Sequence, residues 1–92
     1  MQGFEKSDSD HSSFREKLEM IHQWPSLYMF KFIVPKGKED EVKLLFPKNI
    51  VSLKSSRTGK YISVTAKVMA ASSDQVINIY EMANEIDGLI AL

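Results

Sequence analysis

The stretch KSSRTGKYISVTAKVMAASSDQVINIYEMANEIDG, residues 54–88, decides the fold. It opens on the end of one strand and a polar turn, Ser55-Ser56-Arg57-Thr58-Gly59-Lys60. Tyr61 to Ala70 then reads as a second strand. Ile62, Val64, Ala66, Val68 and Ala70 alternate with Tyr61, Ser63, Thr65, Lys67 and Met69, and period two over that length predicts one buried and one wetter face. Ser72 and Gln75 form a capping box, predicting a helix over Ser72 to Ile86. Val76, Ile79, Tyr80, Ala83 and Ile86 would line its inner face, with Gly88 as the residue that ends it.

A matching strand and helix lie upstream. Leu27 to Val34 is rich in aromatic and β-branched residues and reads as a strand. Tyr28, Phe30, Phe32 and Val34 share one face; Leu27, Met29, Lys31 and Ile33 share the other. Lysine is costly to bury, so the aromatic face should meet the core and the lysine face should stay open. After the turn Pro35-Lys36-Gly37, Lys38 to Phe46 reads as a short helix with Val42, Leu45 and Phe46 inward. Its Glu39, Asp40 and Glu41 suit the positive end of the helix dipole. Pro47 stops it, and Asn49 to Lys54 reads as a weaker edge strand. Leu89 to Leu92 reads as a last short strand.

Ahead of these elements, Phe14, Leu18 and Ile21 form a helical stripe within Ser12 to Gln23, which Pro25 terminates. Met1 to Ser13 reads as a flexible polar tail, and residues 14–92 as a single domain. Helix followed by β-α-β-β-α-β predicts an α+β fold. Its form is the ferredoxin-like sandwich, a four-stranded antiparallel sheet with two helices on one face, plus the extra N-terminal helix. In that topology the first and third strands are central, and those two carry the strongest apolar faces.

The chain has 92 residues, of which 43% are hydrophobic. That is one small globular domain, burying only about 60–65% of its unfolded surface. Twelve basic and twelve acidic side chains cancel, so net charge gives no reason to expect nucleic acid or anionic lipid. The absence of cysteine excludes disulfides, thiol catalysis and thiolate metal sites. No run approaches the ~20 apolar residues of a membrane span, and no apolar signal core follows Met1. A cytoplasmic protein is the expectation.

Trp24-Pro25-Ser26-Leu27-Tyr28-Met29-Phe30-Lys31-Phe32 resembles the aromatic-Pro entry to the first strand of the YbeD-like family of small bacterial proteins. Ser55 to Val64 resembles that family's hairpin and third strand, Gln75 to Glu81 its second helix, and Gly88 to Leu92 its hydrophobic end. The resemblance covers Trp24 to Leu92. The helix over Lys38 to Phe46 is shorter than the family's usual one. The resemblance implies an ACT-like regulatory fold, a non-catalytic regulatory or small-ligand-binding role with no established ligand, and a suggested link to lipoate metabolism. ACT domains commonly hold an amino acid in the loop after the first strand. Here Lys36 stands in that loop and would repel an ammonium group.

The site candidates fall into two groups. Ser55, Ser56, Arg57 and Lys60, with Lys54 beside them, could grip a carboxylate or phosphate. The commoner reading of such a turn is a solvated loop that keeps an edge soluble. Met29, Lys31, Ile33, Tyr61, Lys67 and Met69 lie on a sheet face too apolar to be wholly wet. Either the chain's own N-terminal helix or a second subunit, as in a homodimer, would cover it.

Several chemistries fail on their own requirements. Gly59-Lys60 is no phosphate loop, because Tyr61 replaces the magnesium-holding hydroxyl and no helix follows. RNA recognition needs aromatics on the open sheet face, where only Tyr61 stands. His11 and His22 have no metal-ligand spacing, and no nucleophile–base–orienter set is evident. The expectation is a protein that is not an enzyme, needs no cofactor or metal, and binds neither nucleic acid nor membrane. It would be a regulatory module with a small-molecule ligand, or else a protein-interaction adaptor using the open face or an edge strand.

Overall fold

The computed structural model describes residues 12–92, so the predicted tail lies, up to His11, outside the described residues. The elements run α1 (Ser12–Ile21), β1 (Ser26–Pro35), α2 (Glu39–Lys43), β2 (Val51–Ser55), β3 (Tyr61–Ala70), α3 (Ser73–Ala83) and β4 (Ile90–Ala91). Four strands form one antiparallel sheet in the order β2-β3-β1-β4. β1 and β3 are central, where their apolar faces predict them. No helix among the described residues is long and apolar enough to cross a membrane.

The β1–β3 ladder runs in one register from Ser26 opposite Ala70 to Pro35 opposite Tyr61. Side chains alternate across a strand, so that register sorts both strands at once. Phe30, Phe32, Val34, Ile62, Val64, Ala66, Val68 and Ala70 are buried. Onto this face fall Val42 of α2, Phe46 just beyond it, and Val76, Ile77, Ile79 and Ala83 of α3. The rings of Phe46 and Tyr80 lie 5.4 and 5.2 Å from that of Phe30. Each fully buried Phe or Val contributes about 1.5–3 kcal/mol over its exposed state. The aromatic stack is therefore one substantial block of stabilisation within a largely aliphatic core.

Local chemistry sets the helix starts. Ser72 is extended, and its Oγ accepts from the Gln75 amide at 3.3 Å. Gln75 reaches back to accept from the Ala71 amide at 2.8 Å. The predicted capping pair is present, with its return bond one residue earlier than usual. Lys38 pairs with Glu41 at 3.0 Å at the start of α2.

The structure corrects several boundaries. α3 ends at Ala83 rather than Ile86. Beyond it, Glu85 and Ile86 donate to Met82 and Ala83 in tighter i+3 turns, which still bury Ile86. α2 likewise gives way after Lys43 to i+3 turns that carry Phe46 inward. Ile21, predicted inward, is 75% exposed. The helix ends there, and His22 and Trp24 stack on each other with centroids 5.2 Å apart, His22 also meeting Tyr28.

α1 packs on α3, not on the open sheet face. Leu18 joins the core, Phe14 meets the Tyr80 ring edge-on at 5.7 Å, and Arg15 pairs with Asp74. That removes α1 as the cover of the open face.

Two glycines share one backbone state and differ in surroundings. Gly59 and Gly88 both have φ near +78°. A Cβ at Gly59 would meet nothing, whereas one at Gly88 would lie 2.7 Å from Pro35 Cγ. Gly88 thus seats the approach to β4 against the end of β1, and does not cap α3. In urea unfolding, Gly59→Ala should cost about 1–2 kcal/mol from backbone strain alone. Gly88→Ala should cost more; equal losses would show that the Pro35 contact carries no weight.

Tyr80 supplies a pH test. Its hydroxyl lies 3.1 Å from that of Tyr28. Burial foremost, and then that hydrogen bond, raise its pKa well above the ordinary 10.0. The unfolded chain therefore releases this proton first, and the associated stability is lost as pH rises above 10.0. Tyr80→Phe should lower stability by about 1 kcal/mol at neutral pH through the lost hydrogen bond. It should also flatten the alkaline decline in melting temperature. An unchanged alkaline slope would assign that decline to other groups.

Candidate functional site

The β2–β3 hairpin is built around Ser56. Its amide donates to the Tyr61 carbonyl at 2.8 Å, and its carbonyl accepts from the Gly59 amide at 3.0 Å. Its Oγ accepts from the Tyr61 amide at 3.2 Å and lies 3.5 Å from the Thr58 hydroxyl. Gly59 takes the left-handed conformation that closes the loop. Ser56 is thus the hinge pin of the turn.

Cross-strand register then assembles a cleft beside this turn. Lys54 stands opposite Ser63, and Ser63 opposite Ile33, placing the three in one row on the open face. Tyr61 is the next residue along the same face. A cavity of about 290 Å³ opens here, lined by Ile33, Lys54, Ser55, Ser56, Arg57, Tyr61 and Ser63. That volume suits a small ligand, at the lower edge of the usual ~300–1,000 Å³. The surface of the cleft is mainly apolar, with Ile33 and Tyr61 in it, and Lys54, Arg57 and three serines are among the residues around it. Among the described residues, the ion pairs use Arg15, Lys38 and Lys43, and none uses Lys54 or Arg57.

Of the predicted contact residues, Ser55, Ser56 and Arg57 come together at this cleft, and Lys60 does not line it. The Lys60 carbonyl accepts from the Lys36 amide at 2.9 Å, which extends the β1–β3 ladder. Lys60 therefore falls on the opposite parity to Tyr61 and Ser63. Ile33 and Tyr61, predicted as interface residues, are also cleft residues. Ile33 and Ser63 were missed as contacts of the turn. Only the register of β1 against β3 identifies them, and residue spacing along the chain does not contain it.

The rest of the open face holds the other predicted interface residues. Met29 stands opposite Lys67, Lys31 opposite Thr65, and Leu27 opposite Met69. Leu27, Met29 and Met69 are 57%, 50% and 61% exposed. β4 pairs only with Phe32 and Ile33, so no described strand adjoins β1 on that side over Ser26–Phe30.

Metal chemistry finds no foothold among the described residues, where no group of three His, Cys, Asp or Glu side chains could hold an ion. His22 is a structural residue: Nδ1 lies 2.9 Å from Ser26 Oγ, and the ring sits between Trp24 and Tyr28. His11 lies outside the described residues.

Comparison with curated proteins gives no match, and comparison with solved structures gives none. One family model does match, described as a protein of unknown function (DUF493), and it aligns with residues 19–91. This span takes in the aromatic-Pro entry, the Ser56 hairpin and its cleft, and the C-terminal strand, and on it the chain belongs to the DUF493 family, which is the family of the YbeD-like proteins.

Proposed function

We propose that this chain is a non-catalytic regulatory module of ferredoxin-like, ACT-like fold that binds a small anionic ligand in the hairpin cleft. The carrying observation is the pairing of Arg57 and Lys54, neither in an ion pair among the described residues, with the apolar floor of Ile33 and Tyr61. The central placement of β1 and β3, with β4 beside β1, supports the ferredoxin-like assignment.

A ligand suited to this cleft carries a carboxylate or phosphate on a compact apolar body. The anion would lie between Arg57 and Lys54, where charge-assisted hydrogen bonds are strongest. The apolar body would rest on Ile33 and Tyr61. Among the described residues, the titratable side chain held furthest from its ordinary range, Tyr80, belongs to the aromatic core and not to the cleft, which supports a non-catalytic role.

A thermal-shift screen of small carboxylates and phosphate esters tests this reading. A true ligand about tenfold above its Kd adds about 1.4 kcal/mol, which raises Tm by roughly 5–10 °C in a domain of this size. Arg57→Ala should abolish the shift, and Lys60→Ala should leave most of it. A panel without a hit, or a hit indifferent to Arg57→Ala, would refute the cleft as the site.

A further inference from the structure

Acidic side chains avoid the sheet in this chain. Among the described residues, every Asp and Glu lies on α1, α2, α3 or the turn after α3. The strands and the hairpin carry only cations: Lys31, Lys54, Arg57, Lys60 and Lys67. The sheet layer is therefore purely cationic, while the helix side mixes both signs, as Arg15 and Lys17 beside Glu16 and Glu19 in α1 show. Register places Lys31, Lys54 and Lys67 on the open face, opposite Thr65, Ser63 and Met29. Interleaved with them are Leu27, Met29, Met69, Ile90 and Leu92, each at least 50% exposed.

We propose that the open sheet face docks an acidic segment of a partner protein. Its carboxylates would meet Lys31 and Lys67, and its aliphatic side chains would cover Leu27, Met29 and Met69. Charge selects this occupant over a second copy of the chain. Two open faces stacked together would set lysines against lysines with no acid between them, and like charges across an interface cost several kcal/mol. A nucleic acid would satisfy the cations but leave the aliphatics uncovered, and Tyr61 is the only aromatic on this face to stack a base. A membrane-surface site typically lays the apolar face of an amphipathic helix into the headgroup region, and the apolar side chains here stand on strands. The proposal is independent of the cleft's ligand, because Lys31 and Lys67 do not line the cleft.

Methionine-methyl NMR reads the surface directly. Met29 and Met69 report the open face, while Met20 of α1 and Met82 of α3, both exposed, report the helix side. The probes are a short peptide of alternating Leu and Glu and its Leu–Lys counterpart. The Leu–Glu peptide should shift the Met29 and Met69 methyls, leave Met20 and Met82 in place, and bind less tightly as salt rises. The Leu–Lys peptide should do none of this. The double variant Lys31→Glu/Lys67→Glu should bind the acidic peptide at least roughly tenfold more weakly, with the four methyl signals still those of a folded chain. Lys31→Gln/Lys67→Gln should fall between it and the parent. The proposal is overturned by no binding, by shifts at Met20 or Met82, or by equal affinity in the double variant. It is equally overturned if protein concentration, an oligonucleotide or anionic vesicles move Met29 and Met69 while the Leu–Glu peptide does not.

Discussion

In the antiparallel ladder between β1 and β3, Phe30 stands opposite Ala66 and Phe32 opposite Val64. Large side chains on one strand face small ones on the other. That leaves room for Phe46 and Tyr80 to descend from the helix layer onto the phenylalanine rings. The helix layer takes its place from this stack. α2 and its following turns exist to deliver Val42 and Phe46. α3 delivers Tyr80, and α1 is held to α3 through Phe14 against that same ring. A slip of one residue in either strand would send Lys31 or Lys67 inward and its aromatic or aliphatic neighbours outward. Period-two parity is therefore the constraint that both builds the core and leaves cations on the far side.

That constraint was legible in the sequence because it is local. Lys31 among Met29, Phe30 and Phe32, and Lys67 among Ala66 and Val68, announce the wet side without knowledge of any partner strand. The strand faces, the central pair and the Ser72–Gln75 helix start could all be read from spacing alone. Other features depend on contacts between distant residues. Ile21 fits a helical stripe but falls where the chain leaves the helix, and His22 and Trp24 take the packing instead. Gly88 carries the signature of a helix end, yet its role is set by Pro35. The side of the sheet chosen by α1 depends on Arg15 meeting Asp74 and on Phe14 meeting Tyr80. The candidate site divides the same way. Ser55, Ser56 and Arg57 were visible as a polar turn, whereas Ile33 and Ser63 join them through register, and parity turns Lys60 away.

Within the hairpin, the residues that hold the loop and the residues free to bind are different ones. Ser56 uses its amide, carbonyl and hydroxyl oxygen on the turn, and Gly59 supplies the left-handed step. Arg57 and Lys54 are not needed for closure. A ligand gripped by them would meet a backbone turn already fixed, so the ordering cost of binding would fall on the two long side chains and not on the loop. The same turn ends the open face, so the cleft and the apolar–cationic rows beyond it form one continuous surface with two separable halves.

Net charge is the point at which composition misleads about partners. Twelve bases and twelve acids sum to zero, and a zero sum gives no reason to expect an anionic partner. A sum is not a field, however. Strands tolerate lysine only on the wet side, while short helices attract acids to their first turns, as Glu39, Asp40 and Glu41 show in α2. In a two-layer fold these two local preferences act on opposite layers, so the sheet carries only bases although the whole sequence sums to zero. What argues against a nucleic acid here is thus not charge. It is the composition of the open face: one tyrosine among methionine, leucine and isoleucine side chains, which no phosphate backbone can cover.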